Sequence, residues 1–213
     1  MTQMAPPPLR PESSIDPSIP IDQRPLCGHD VETLRSRFGL DRISMAAAMG
    51  VTTNRYAELA SKSTALDADQ EILLRLYLNN PGPAPWTQWT PRQAFERFYG
   101  DLLASFEDDS DKQEAARMML YRRLTALFGR SYSRAYRWIE NNDGYGTVMK
   151  IILAKIQCEK DPEFTLLAAA ETTMRNRGGG SIQTQFPLPD NKTIQTSGPG
   201  RPRKKRTPRI LGN

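Results

Sequence analysis

The amino-acid sequence predicts an all-α protein, and three observations support this prediction. Apolar residues recur three and four positions apart in several segments, which is the period of an amphipathic helix. No segment shows the sustained alternation of apolar and polar residues that marks a half-buried strand. Residues typical of helix starts and stops, such as Thr90–Pro91 and Gly39, separate the segments.

In the first part of the chain, Asp30 and Asp41 are expected to cap two short helices, the first of which ends at Gly39. A further helix opens at Asp67 or Ala68. The residues expected to face the core in these helices are Val31, Leu34, Phe38, Ile43, Ala46, Ala47, Ile72, Leu73, Leu76 and Tyr77.

The second part of the chain begins with the strongest helical pattern. Thr90 is a capping residue and Pro91 suits the first helical position. The apolar stripe that follows comprises Phe95, Phe98, Tyr99, Leu102, Leu103 and Phe106. Further helices are predicted over 112–128, around 148–156, and from 161 to the closing Gly178.

This pattern predicts five segments. Residues 1–28 are a Pro-rich flexible arm, and residues 29–80 form a first helical domain. The stretch "PGPAPWTQW", residues 81–89, cannot continue a helix and is interpreted as a linker. Residues 90–177 form a second helical domain. Residues 178–213 are a flexible linker and basic tail.

The charge of the chain is concentrated at one end. The 213 residues carry 29 Lys+Arg and 24 Asp+Glu, a net charge of +5. The last 17 residues hold six basic residues and no acid, and the rest of the chain has a net charge of −1. A local basic tail favours a nucleic-acid partner.

Composition argues against several other classes of protein. Two distant cysteines and one histidine, His29, make a zinc site or a catalytic triad improbable, so we expect no metal, no cofactor and no enzyme activity. The unpaired cysteines fit a reducing compartment, and no apolar run is long enough to span a membrane. With no signal region at residues 1–14, we expect a cytoplasmic, nucleoid-associated protein.

One stretch, Met45 to Leu59 ("MAAAMGVTTNRYAEL"), places a glycine inside an otherwise helical pattern. A glycine permits the sharp corner that joins two helices crossing at a steep angle. Ala46 leaves room for the crossing, and Val51 fills the wedge between the helices. Tyr56 and Leu59 are the expected buried anchors of the second helix. The polar residues Thr52 to Arg55 lie at the end that a DNA major groove would receive.

This order of residues resembles the helix-turn-helix of the lambda-repressor and Cro type over residues 30–80. Tyr56 departs from the usual Ile or Val anchor, and Leu59 replaces a common aromatic residue. The resemblance implies a compact helical domain that binds double-stranded DNA, usually as a homodimer on paired half-sites. The positions that it makes candidates for base or phosphate contacts are Thr52, Thr53, Asn54, Arg55, Glu58 and Lys62.

A weaker second copy of this pattern occurs at "LTALFGRSYSRAYRWIE", residues 124–140. Thr125 stands at the small-residue position and Arg130 at the wedge position, which are both departures. Its candidate contacts are Ser131, Ser133, Arg134 and Arg137. Two DNA-reading helices on one chain would bind both halves of a pseudo-palindrome without dimerisation. The alternative is that the second pattern is only a corner between helices with a solvated basic face.

The tail sequence "GPGRPRKKR" resembles an AT-hook, a minor-groove motif, although Pro199 replaces the arginine expected before the glycine. Its candidate contacts are Arg201, Pro202, Arg203, Lys204, Lys205 and Arg206. The alternatives are a localisation signal or a plain electrostatic tail.

Three functions follow from these patterns. The first is sequence-specific DNA binding in transcription regulation. The second is an accessory or architectural role in a DNA-processing complex, such as that of a mobile element. The third is a protein-interaction module with a non-specific basic tail. No small-molecule cofactor and no membrane partner are expected.

Overall fold

The structure of the chain, a computed structural model, describes residues 15–16, 18–84, 89–106, 109–141, 143–190 and 194. These residues form helices and turns and contain no strand; a single bridge joins Cys27 to Ala65. The all-α prediction is therefore confirmed for the described part of the chain. The predicted AT-hook-like tail, residues 1–14 of the arm and residues 85–88 of the linker lie outside it.

The helices follow one another closely along the chain. Their bounds are α1 (Gly28–Arg37), α2 (Arg42–Ala48), α3 (Thr53–Ala60), α4 (Ala68–Asn79), α5 (Pro91–Ala104), α6 (Ser110–Leu127), a 3₁₀ turn (Tyr132–Arg134), α7 (Ala135–Ile139), α8 (Thr147–Ile156), α9 (Pro162–Asn176) and α10 (Ile182–Gln185).

Capping residues explain several of these starts. The Asp41 carboxylate accepts a hydrogen bond from the Ser44 N–H at 2.6 Å, as expected of an N-cap. Thr90 caps α5 and is in turn held by the Gln93 side chain, which makes a capping box. Asp30 is not the cap that its type predicts, because it lies inside α1 and accepts from the N–H of Cys27.

The inward face of α2 differs from the prediction. Met45, Ala46 and Met49 are buried, whereas Ile43 is 70% exposed and Ala47 is exposed. Each residue of α2 is rotated by about 100° from the one before it. Met45, Ala46 and Met49 therefore share the face that contacts α3, whereas Ile43 and Ala47 lie outside that face.

The buried apolar residues form two clusters. The first cluster holds α1, α2 and α3 together, and the second is built by α5 to α10. Helix α4 belongs to both, because Leu74 lies in the first cluster while Ile72, Leu73 and Leu76 lie in the second. The two predicted domains are therefore joined through a shared helix, which packs on α8 and α9.

The predicted flexible arm ends earlier than residue 28. Leu26 and Cys27 are buried, and Arg24 is buried against Asp30 with both carboxylate oxygens at 2.6 Å from the guanidinium. Apolar burial and a paired charge order this segment, although its proline content favours disorder.

The loop that follows α4 is held at its start. The Lys155 ammonium donates to the carbonyl oxygens of Asn80 and Gly82, both at 2.6 Å, and lies 4.5 Å from the centre of the Tyr77 ring. Burial lowers the pKa of Lys155. The first residues of the predicted linker are thus anchored to α8.

The segment after Gly178 also packs on the protein. Gly178 ends α9 with φ 74°, as predicted, but α10 follows at once. Ile182 and Ile194 are buried in the second cluster. The predicted flexible linker is therefore wrong for residues 181–190, because Ile182 is buried in the core and Phe186 packs against it.

Candidate nucleic-acid interface

The corner between α2 and α3 has the geometry that the glycine predicts. Gly50 adopts φ 67°, in the left-handed region that glycine tolerates. Its N–H donates to Ala47 O, and the N–H of Val51 donates to Ala46 O, both at 3.0 Å. This pair of bonds is a Schellman motif, which satisfies the free carbonyls at the end of α2.

The same closure ends three other helices, and so it does not by itself identify a DNA reader. The N–H groups of Gly39, Gly129 and Gly178 donate three residues back, and those of the residues that follow them donate five residues back. The α2–α3 corner differs from the others in the helix that follows it, α3, which has a buried anchor on one face and exposed polar residues on the other.

Helix α3 is anchored to α1 by one buried tyrosine. Tyr56 is 1% exposed, and its hydroxyl donates to Glu32 Oε2 at 2.5 Å. The Arg35 guanidinium donates to the other oxygen of Glu32. These bonds, with Arg35 the larger cause, lower the pKa of Glu32 to about 2, while burial and the Glu32 bond raise the pKa of Tyr56 to about 12. The buried hydroxyl of Tyr56 thus has the hydrogen-bond partner that a buried tyrosine needs.

This anchor predicts a pH effect. A carboxylate with a lowered pKa stabilises the fold above its ordinary value of 4.5, and this contribution is lost as the pH falls from about 4.5 towards 2. We expect Glu32→Gln to be less stable than the wild type at pH 7 and the gap to close near pH 2. Urea denaturation followed by circular dichroism at both pH values measures this; a gap independent of pH would contradict it.

The opposite face of α3 is free for a partner. Thr53, Asn54, Arg55 and Glu58 are exposed, while Tyr56 and Leu59 face the core as predicted. The N-cap Thr52 is also exposed, and its hydroxyl accepts from the N–H of Arg55 at 3.3 Å. The candidate contacts of the first reader therefore share one exposed surface.

The charges on this surface are already paired with one another. Glu58 lies 2.7 Å from Arg55 and 2.8 Å from Lys62, all three exposed. The bonds from Lys62 and then Arg55 lower the pKa of Glu58 to about 2, so it is ionised at neutral pH. Glu58 therefore neutralises one of the two cations that a phosphate backbone would meet.

For the DNA-binding role expected from the sequence, Glu58→Gln should raise the affinity for a duplex. The change removes the one negative charge beside the two cations, so affinity should rise by about tenfold at low salt and less at high salt, because exposed charges are screened. Titration of a labelled duplex at several salt concentrations measures this. Thr53→Ser, on the same face, is the control that leaves the charge unchanged; unchanged affinity in Glu58→Gln would exclude these cations from the interface.

Arg42, which the sequence did not single out, is exposed at the first residue of α2. It lies close enough to Glu32 and Tyr56 for its positive charge to lower the pKa of each group. It therefore belongs to the side of α3 that carries the Tyr56 anchor.

The second corner exists, but its reading helix is irregular. Gly129 adopts φ 63°, and the segment that follows begins as the 3₁₀ turn and continues as the five-residue α7. Ser131, Ser133 and Arg137 are exposed. The backbone of Arg134 closes the 3₁₀ turn, and its side chain lies outside the described part of the structure.

Two charged residues at this corner have partners within the protein. Arg130, at the wedge position, makes an ion pair with the buried Asp69 of α4. Arg137 pairs with Asp143 at 3.2 Å, with both side chains exposed. Arg130 is therefore a structural residue, while Arg137 exchanges partners easily, since exposed pairs are weak.

No protein-family model, no curated protein sequence and no solved structure matches this chain. Within the described residues, no group of three His, Cys, Asp or Glu side chains is placed to hold a metal ion. None of the helices in the described ranges has both the length and the apolar character needed to cross a membrane.

Proposed function

We propose that this chain is a sequence-specific double-stranded DNA-binding protein that places the first turn of α3 in the major groove. One observation carries the proposal: Tyr56 and Leu59 fix α3 to the core, and Asn54 and Arg55 project from its exposed face directly after the glycine corner. Asn pairs well with adenine and Arg with guanine.

Transcription regulation in the cytoplasm, on the nucleoid, is the use that we favour for such a reader. The accessory role in a DNA-processing complex uses the same contacts and differs only in its outcome, which is cleavage or transfer of DNA rather than a change of promoter output. In both, the basic tail adds salt-dependent affinity by its charge.

Selection of bound fragments from random DNA tests the proposal. The full chain should enrich a motif, and the double variant Asn54→Ala, Arg55→Ala should bind the enriched fragment about 100-fold more weakly, since each good base contact contributes about 1–3 kcal/mol. Its affinity for unrelated duplex should change far less.

Lys62→Ala is the matched control, because Lys62 follows the C-terminal end of α3 and belongs to the same ion-pair group. It should weaken specific and non-specific binding by a similar factor, as loss of a phosphate contact does. An equal loss for both kinds of DNA in the double variant would show that Asn54 and Arg55 do not read bases.

The tail is tested by truncation after Ile194, since an earlier cut would remove the packed residues Ile182 and Ile194. The truncated chain should keep its preference for the enriched fragment with a smaller dependence on salt. Complete loss of specific binding would show that the tail, and not α3, recognises the enriched fragment.

A further inference from the structure

The chain contains the same arrangement of turn and helices twice, 79 residues apart. Gly50 and Gly129 are the two left-handed corners. The reading segments begin 79 residues apart, at Thr53 and Tyr132, and extend to Ala60 and Ile139. The helices that follow begin at Ala68 and Thr147, again 79 residues apart.

Burial follows the same spacing although few residues are identical. The pairs that are buried in both copies are Met45 and Leu124, Ala46 and Thr125, Met49 and Phe128, Leu59 and Trp138, Leu73 and Ile152, and Leu74 and Leu153. Thr52 and Ser131, both of capping type, precede the two reading segments. The packing plan of the first unit is therefore used again in the second.

The supporting helices correspond as well. In the first unit α3 contacts α1 and α2, and in the second α7 contacts α5 and α6. The main difference is length, since α6 has 18 residues and α2 has 7. The first unit is thus α1 to α4, and the second is α5 to α8.

The two units meet through one contact made twice. A Cβ placed on Gly50 would lie 3.0 Å from Thr147 Cγ2 and 3.3 Å from its carbonyl carbon. A Cβ placed on Gly129 would lie 2.7 Å from Ala68 Cβ and 3.1 Å from its carbonyl carbon. Since Thr147 corresponds to Ala68, each corner packs against the first residue of the other unit's fourth helix.

Such reciprocity is the mark of a two-fold interface, in which residue i contacts j and j contacts i. Helices α4 and α8, which correspond to one another, also pack together. These reciprocal contacts are those expected of a two-fold arrangement of the first unit, α1 to α4, and the second, α5 to α8.

We propose that one copy of the chain binds DNA as an intramolecular dimer and occupies two half-sites of different sequence. This rests on the proposed function. Homodimeric readers meet half-sites about 34–36 Å apart with two identical helices. Here the helices differ: the first presents Asn54, Arg55 and Glu58, and the positions 79 residues later are Ser133, Arg134 and Arg137.

This difference predicts unequal half-sites. A carboxylate, Glu58, stands in the first segment where a cation, Arg137, which is paired with Asp143, stands in the second. Side chains of opposite charge at the same position cannot make the same base contacts. The target should therefore be an imperfect palindrome whose two halves differ in sequence.

The test uses the full chain on its enriched DNA fragment, with two readouts: the number of chains per fragment from sedimentation, and the protected bases from footprinting. We expect one chain per fragment and two protected segments about one helical turn apart. Arg137→Ala should remove protection of one segment and weaken binding by about tenfold.

Asp143→Ala is the matched control, because it breaks the same ion pair but keeps the cation. It should leave both segments protected. Two chains per fragment, or a single protected segment unaffected by Arg137→Ala, would overturn the intramolecular dimer while sequence-specific binding stands. Failure to enrich any fragment would instead overturn the proposed function, and this inference with it.

Discussion

Replacing Glu71 with alanine is expected to destabilise the protein by about 3–5 kcal/mol, the usual cost of leaving buried charges without their partner. The Glu71 side chain is 0% exposed and lies 2.7 Å from Arg75 and 2.9 Å from Arg177. Without it, two guanidinium groups would lose their counter-charge, and Arg75 is itself buried.

The effect should reach beyond α4, because Glu71 is the centre of a wider group. Arg75 also donates to the carbonyl oxygens of Ile21 and Arg24, both at 3.0 Å, and Arg177 donates to that of Leu66. The N-terminal segment, α4 and the end of α9 thus meet at one carboxylate. Its loss should loosen all three together.

Urea denaturation at pH 7 measures this change. Glu58→Ala is the matched control, because Glu58 also pairs with two cations but on an exposed surface, and its loss should leave the denaturation midpoint nearly unchanged. Glu71→Gln, which keeps the size of the side chain, should fall between Glu71→Ala and the wild type. Equal denaturation midpoints for Glu71→Ala and Glu58→Ala would contradict this prediction. They would show that the buried ion pairs of Glu71 contribute no more to stability than the exposed pairs of Glu58.

The second large effect is expected for Gly28→Ala, which should cost about 3 kcal/mol through overpacking. A Cβ at Gly28 would lie 1.7 Å from the carbonyl oxygen of Leu59 and 2.6 Å from that of Lys62. Both obstacles are backbone atoms at the end of α3, so no side-chain rotation relieves them. Helix α1 or α3 must move, and the free energy of unfolding should fall.

Gly100→Ala is the control for this prediction. Gly100 lies inside α5, and a Cβ there would meet no atom of the described residues within 4 Å. Alanine favours a helix by about 1 kcal/mol over glycine, so this variant should be more stable than the wild type. Denaturation of both variants gives opposite signs if packing decides, and the same sign if only helix propensity matters.

The helices and their ends were predictable because the forces that set them act within a few residues. Thr90 and Asp41 cap helices as their types predict, and Gly39, Gly50 and Gly178 end them with positive φ. The Glu58 ion pairs are of the same local kind, at spacings of three and four on one helix.

The sequence-based predictions were wrong where burial depends on contacts with residues far away in the chain. The arm and the segment after Gly178 look disordered by composition, but Leu26 and Ile182 are buried in cores that other helices build. Ile43 looks like a core residue, yet the contact between α2 and α3 selects the other face. Composition and apolar periodicity show which residues of a segment could be buried. They do not show which other segments it will pack against.

By itself the sequence determined the helices, their caps, the glycine corner and the exposed polar turn after it, since 3.6-residue periodicity and capping chemistry are local properties. Only the tertiary structure decided that α4 serves two cores, that Glu71 joins segments 106 residues apart, and that Gly50 and Gly129 make the same contact in opposite directions. These features depend on which helix surfaces pack together in the folded chain. Because the interior is closely packed, the position of each helix depends on the positions of all the others.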